Sequence, residues 1–130
     1  MLFLDYQDRR PIYEQIVEKF RMLILSGAME PSSRMPSVRQ LAMELSINPN
    51  TIQRAYMELE QQGLIYPVKG KGSFVTDSSE IRRIGVEEYL RELKETTEKG
   101  RKLGIREEEM IKVIRECYKE GDNDQDKKLQ

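Results

Sequence analysis

At 130 residues, 38% of them apolar and 35% charged, with a formal net charge of −1, the chain has room for one ordinary domain or one small domain with an appendage. One cysteine, Cys117, and no histidine exclude an intrachain disulfide, His/Cys metal sites, Ser-His-Asp triads and Cys-His dyads. No apolar run reaches the roughly 18 residues of a membrane span, and residues 1–8 lack a basic n-region and a small-residue cleavage site, so a mature cytoplasmic protein with no membrane partner is expected.

Pro11 opens a first helix, with Ile12, Ile16, Phe20, Leu23 and Ile24 at helical spacing and Gly27 as its stop. Residues 28–36, rich in Pro and Ser, read as a connector. Ser37 then caps a short second helix with Val38, Leu41, Ala42 and Leu45 on one face. After a tight turn at Ser46 and Ile47, Asn48 caps a third helix that starts at Pro49, points Ile52, Ala55, Tyr56 and Leu59 inward, and ends near Gln62 and Gly63. Two helices joined by so short a turn form a helix-turn-helix. Apolar runs at 64–68 and 73–76, on either side of Lys69-Gly-Lys-Gly72, predict a β-hairpin, the wing, with Pro67 holding the first strand to an edge or a short pairing. Helices over 78–100 and 106–120 follow, broken at Gly104, and the polar tail 121–130 is expected to be disordered. The fold class is therefore mainly α with a small hairpin: a winged helix-turn-helix over 1–76 and a two-helix region over 77–120.

Such a fold sets the start of its second motif helix against base edges in the major groove of duplex DNA. Here that end carries Asn48, Asn50, Thr51, Gln53 and Arg54; Asn and Gln suit adenine, and Arg suits guanine or a phosphate. Ser37 and Arg39, at the start of the second helix, and Arg34 on the connector suit phosphates, although a surface arginine bridging to Glu44 is the plainer alternative for Arg39. Lys69, Gly70, Lys71 and Gly72 fit either an ordinary turn or a wing tip that touches the DNA backbone or minor groove; no helix opens with Gly-Lys-Ser/Thr, which rules out a nucleotide phosphate loop. The overall charge is not that of a strong polyanion binder. Between Arg34 and Lys71, however, five bases face three acids.

In the last two helices Tyr89, Leu90, Leu93, Met110, Ile111 and Ile114 make apolar faces that either pack on the N-terminal domain or form a homodimer; dimerisation is favoured, because a two-fold protein reads two half-sites. A chain ending at Thr76 is then expected to be folded, monomeric and a weak binder.

The stretches 11–16 (PIYEQI), 34–42 (RMPSVRQLA), 48–56 (NPNTIQRAY), 59–65 (LEQQGLI) and 70–75 (GKGSFV) closely resemble the DNA-binding domain of the GntR family of bacterial regulators, over about half of the chain. The short C-terminus looks like that of the YtrA-like subfamily, which lacks large effector domains. The resemblance implies a dimeric regulator, usually a repressor and often of transporter genes, bound to a two-fold symmetric operator. It implies contacts through Arg39, the start of the third helix and the wing loop. Many relatives outside this subfamily have arginine where Gln53 stands, and the turn position of Ser46 is often glycine. A fused aminotransferase-like module, known in some relatives, would not fit in the 54 residues after Thr76, so no enzyme and no cofactor is expected. A winged helix that binds protein instead of DNA is the remaining alternative; no effector class is legible in the residues.

Overall fold

A computed structural model describes residues 4–129, with side chains to residue 124; Met1, Leu2 and Phe3, and Gln130 of the polar tail, lie outside the described residues. The described residues form α1 (Ile12–Leu25), α2 (Val38–Leu45), α3 (Pro49–Gln61), β1 (Ile65–Val68), β2 (Gly72–Val75), α4 (Ser78–Lys102) and α5 (Glu107–Leu129). They divide into two compact units, the first reaching to Val86 and the second beginning at Glu87.

In the first unit the apolar stripes of α1, α2 and α3 converge. Ile16, Phe20, Ile24, Leu41, Ile52, Tyr56 and Leu59 are buried together with Leu64, Ile65 and Val75 from the hairpin. Residues spaced three and four apart lie on one side of a helix, so each helix turns one such stripe inward. Phe20 meets Tyr56 edge-on, with ring centroids 5.8 Å apart at 84°, and so joins α1 to α3. Gln15 is buried and satisfied: its side-chain oxygen accepts from the Asp5 N–H at 3.0 Å, and its amide donates to the Asp5 carbonyl at 3.0 Å. That exchange straps residues 4–10 onto α1.

The caps form at the expected residues. The Ser37 hydroxyl accepts from the Gln40 N–H at 3.0 Å, and Asn48 Oδ1 accepts from the Asn50 N–H at 2.9 Å. Between them, Ser46 takes a left-handed conformation (φ 54°, ψ 46°), and the Ile47 N–H reaches back to the Ala42 carbonyl at 2.9 Å. The chain thereby reverses within two residues and sets α3 against α2.

β1 and β2 pair antiparallel, with Ile65 opposite Val75 and Val68 opposite Gly72. The connector is less passive than its composition suggests. The Met35 N–H donates to the Ser73 carbonyl and the Val75 N–H to the Ser33 carbonyl, both at 2.8 Å, so residues 33–35 lie along the outer edge of β2. Pro67, which has no N–H, sits in β1, whose other edge has no strand partner among the described residues.

Two boundaries differ from expectation. Asp77 caps α4, accepting from the Glu80 N–H at 2.9 Å, and Ile81 and Ile84 then pack on the core of the first unit. The first unit thus runs to Val86 rather than to Thr76. The segment 121–129, expected to be disordered, continues α5 to Leu129. Gly121 costs a helix only about 1 kcal/mol relative to alanine and no proline follows it, so nothing there halts the helix. In the second unit, Gly104 (φ +86°) closes the turn between α4 and α5. Among the described residues no helix is long and apolar enough to cross a membrane.

Candidate nucleic-acid interface

The first turn of α3 presents its polar residues outward: Asn48, Asn50, Gln53 and Arg54 are exposed and Thr51 is partly so, while Ile52, Ala55 and Tyr56 face the core. The Asn48 carbonyl oxygen is committed to its cap, which leaves its amide as the group able to contact a partner. Asn50 and Gln53 stand three residues apart on one helical face, with the exposed Met57 one turn on.

Ser37 lies at the start of α2. Its oxygen accepts from Gln40, so its own proton remains free to be donated. Arg39 follows on the same exposed turn. Glu44, the expected alternative partner of Arg39, is taken by the Gln40 amide at 3.3 Å instead. The Tyr56 hydroxyl donates to the Pro36 carbonyl at 2.7 Å, tying α3 to the residue before the α2 cap. Burial pushes that phenol well above the ordinary tyrosine range, so it remains a donor.

Arg34 links this helical surface to the wing. Its backbone bridges to Phe74 in β2, and its guanidinium lies so near Gly72 (φ +98°) that a Cβ there would stand 3.5 Å from Arg34 Nε. Together with Ser37, Gln40 and Glu44 it lines an open depression. Lys69 and Lys71 are exposed at the hairpin tip, where Gly70 (φ +78°) lets the turn close with the Lys71 N–H on the Val68 carbonyl at 2.9 Å. Tyr66 stacks on Phe74 across the strands, ring centroids 6.0 Å apart, stiffening the wing.

Ion pairs among the described residues join arginines outside this surface to nearby acids. Arg10 is matched by Asp8 and Glu18, Arg83 by Glu80, Arg101 by Glu98 and Arg106 by Glu109. Arg34, Arg39, Lys69 and Lys71 carry their charge with no ion-pair partner among the described residues. A net charge of −1 is a sum over the whole chain and does not preclude local positive charge where exposed bases outnumber acids, as they do between Arg34 and Lys71.

Arg54 is placed otherwise than a free groove-reading side chain: its guanidinium carbon lies 3.8 Å from the centroid of the Tyr13 ring on α1. Tyr13, Gln40 and Tyr56 were not singled out for the site by the sequence reading. Their parts depend on neighbours far away in the chain or, for Gln40, on a cap one turn back.

In the second unit, Tyr89, Leu90, Leu93, Ile111 and Ile114, read from the sequence as apolar helix faces, are exposed, Leu90 at 57%. Met110 is the exception. It is partly buried because Gly100 on α4 leaves space for its terminal methyl, so it packs within the α4–α5 hairpin. Leu103, 81% exposed, and Val113, 59% exposed, belong to the uncovered apolar surface instead.

Residues 12–75 match the family described as bacterial regulatory proteins, gntR family. The chain is 40% identical over 79 residues to the HTH-type transcriptional repressor YtrA of Bacillus subtilis; the match spans 61% of this chain and 61% of that protein, less than two thirds of its length. In three dimensions it is similar to a GntR family transcriptional regulator from Listeria monocytogenes, with 36% identity and a TM-score of 0.67 over 87% of this chain and 98% of that one. It is also similar to AraR(DBD) in complex with operator ORX1, with 31% identity and a TM-score of 0.51 over 58% of this chain and 93% of that one.

Proposed function

The chain belongs to the GntR family and is a DNA-binding transcription regulator, and on that premise we propose that it acts as a dimeric repressor on a two-fold symmetric operator. The observation that carries the reading is the exposed polar first turn of α3 on a helix-turn-helix whose α2 start and wing present Arg34, Arg39, Lys69 and Lys71, all exposed and without an ion-pair partner among the described residues. Unneutralised cations gain most from a polyanion, because phosphate contact releases condensed counterions.

In this reading α3 enters the major groove and Asn50 and Gln53 meet base edges, their paired donor and acceptor groups matching adenine. Thr51 and the Asn48 amide flank them. Arg39 and the Ser37 hydroxyl hold the phosphates at the start of α2, and Arg34 those between α2 and the wing. Lys69 and Lys71 reach the backbone or minor groove, and the absence of a Cβ at Gly70 and Gly72 allows close approach. The operator named with AraR(DBD) supports duplex DNA as the partner. The repressor reading is supported by the name of the YtrA relative. Two copies join through the second unit, a reading supported by the extent of apolar surface left open there.

Selection of bound duplexes from a random pool by the full-length chain tests the proposal. The expected result is a two-fold symmetric motif whose half-sites lie about 34–36 Å apart, one turn of DNA. Enrichment of an asymmetric motif overturns the dimeric docking. No enrichment and no salt dependence favour the protein-binding alternative.

A further inference from the structure

Tyr13 and Arg54 come from different helices and meet at the α1–α3 junction. At 3.8 Å from the ring centroid the Arg54 guanidinium is in van der Waals contact with the ring, where the negative face of the quadrupole attracts the cation. The ring is a firm platform: Tyr13 is half-buried against the core, and its hydroxyl donates to Glu14 Oε1 at 3.3 Å. Arg54 itself is exposed, and among the described residues its N–H groups meet no hydrogen-bond acceptor. A guanidinium held by its face keeps the donors at its edge free, in the fork geometry that suits a phosphate.

The anchor also decides which part of DNA the group can reach. Asn50 and Gln53 project from the outer face of α3, whereas Arg54 is drawn sideways onto α1. A side chain resting on a neighbouring helix borders the groove instead of extending to its floor. We propose that Tyr13 is a positioning residue of the DNA interface, its ring holding the Arg54 guanidinium ready to grip a backbone phosphate. The pairing also removes, before DNA arrives, rotamer freedom that a long arginine would otherwise lose on binding. This inference rests on the DNA-binding reading above.

The test is binding of the full-length chain to a short duplex of mixed sequence, by fluorescence anisotropy over a series of salt concentrations. Arg54→Ala should reduce the steepness of log K against log salt by about 0.9 per protomer. Tyr13→Phe, which keeps the ring and removes only the hydroxyl, should bind like the parent. Tyr13→Leu should bind about two- to five-fold more weakly, and should have no further effect when Arg54 is already alanine. That last arm separates positioning from a contact made by Tyr13 itself, or from general destabilisation, either of which would weaken binding equally in both backgrounds and overturn the proposal. An unchanged slope for Arg54→Ala, at an exposed site where folding is not at stake, overturns the phosphate grip independently of any Tyr13 variant. If the parent shows no salt-dependent binding, the DNA-binding reading fails, and the grip with it.

Discussion

Ser46 is a residue whose backbone conformation is set by its neighbours against its own preference. A Cβ in the left-handed region crowds the carbonyl that follows, yet the turn between α2 and α3 requires φ 54° there. Ser46→Gly should therefore stabilise the first unit, by about 0.5–1 kcal/mol after the extra entropy of an unfolded glycine is subtracted. Urea unfolding measures this, and a midpoint that fails to rise contradicts the strain. The Tyr56 hydroxyl acts in the opposite sense, as a restraint on the site. It fastens the Pro36 carbonyl, immediately before the Ser37 cap and close to Arg39. Tyr56→Phe should cost about 1 kcal/mol and also weaken operator binding, because the start of α2 is then less firmly placed. Loss of stability with operator affinity intact would confine the hydroxyl to a packing role.

At the scale of elements, the wing is more than a two-stranded hairpin. A lone hairpin of four-residue strands is marginal in water. Here residues 33–35 bond to the outer edge of β2 while Ile65 and Val75 are buried. The tip is thus a cationic turn on a fixed base, and its lysines can be altered without disturbing the fold. Lys69→Gln with Lys71→Gln should leave thermal unfolding unchanged. The salt dependence of binding should become shallower by about 0.9 for each phosphate that the lysines no longer neutralise, and an unchanged slope would reduce the loop to a plain turn.

At the scale of the molecule, α4 belongs to both compact units. Its start, through Ile81 and Ile84, covers the core of the first, and its later turns form the second with α5. A chain cut after Val86 should therefore be folded and monomeric, with much weaker operator binding than the full chain. A chain cut after Thr76 should be less stable by about 2 kcal/mol, since it forgoes the burial of both isoleucines. Sedimentation equilibrium and thermal unfolding of the three chains decide this. A full-length monomer at micromolar concentration, or a dimer that survives the cut after Val86, would contradict assembly through the second unit.

Most of the secondary structure was legible in the sequence, because its causes are local. The spacing of Ile16, Phe20 and Ile24, the caps Ser37 and Asn48, Pro49 at a helix start and the Gly-rich turn at 69–72 each act within a few residues. The exposed polar start of α3 followed from the same periodicity, since its inward positions were already taken by Ile52, Ala55 and Tyr56. Where the second apolar stripe of α4 begins was not legible, because Ile81 and Leu90 carry the same signal and only packing assigns Ile81 to the first unit. Nor could periodicity turn Met110 inward, since that depends on the space left by Gly100 in another helix. The same holds for the charges. A net charge of −1 is a sum over the chain, but which arginines are neutralised depends on which carboxylates the fold brings within reach. Tertiary structure alone placed Arg34 against Gly72 and Arg54 over Tyr13, because contacts between residues far apart in sequence leave no mark in local pattern.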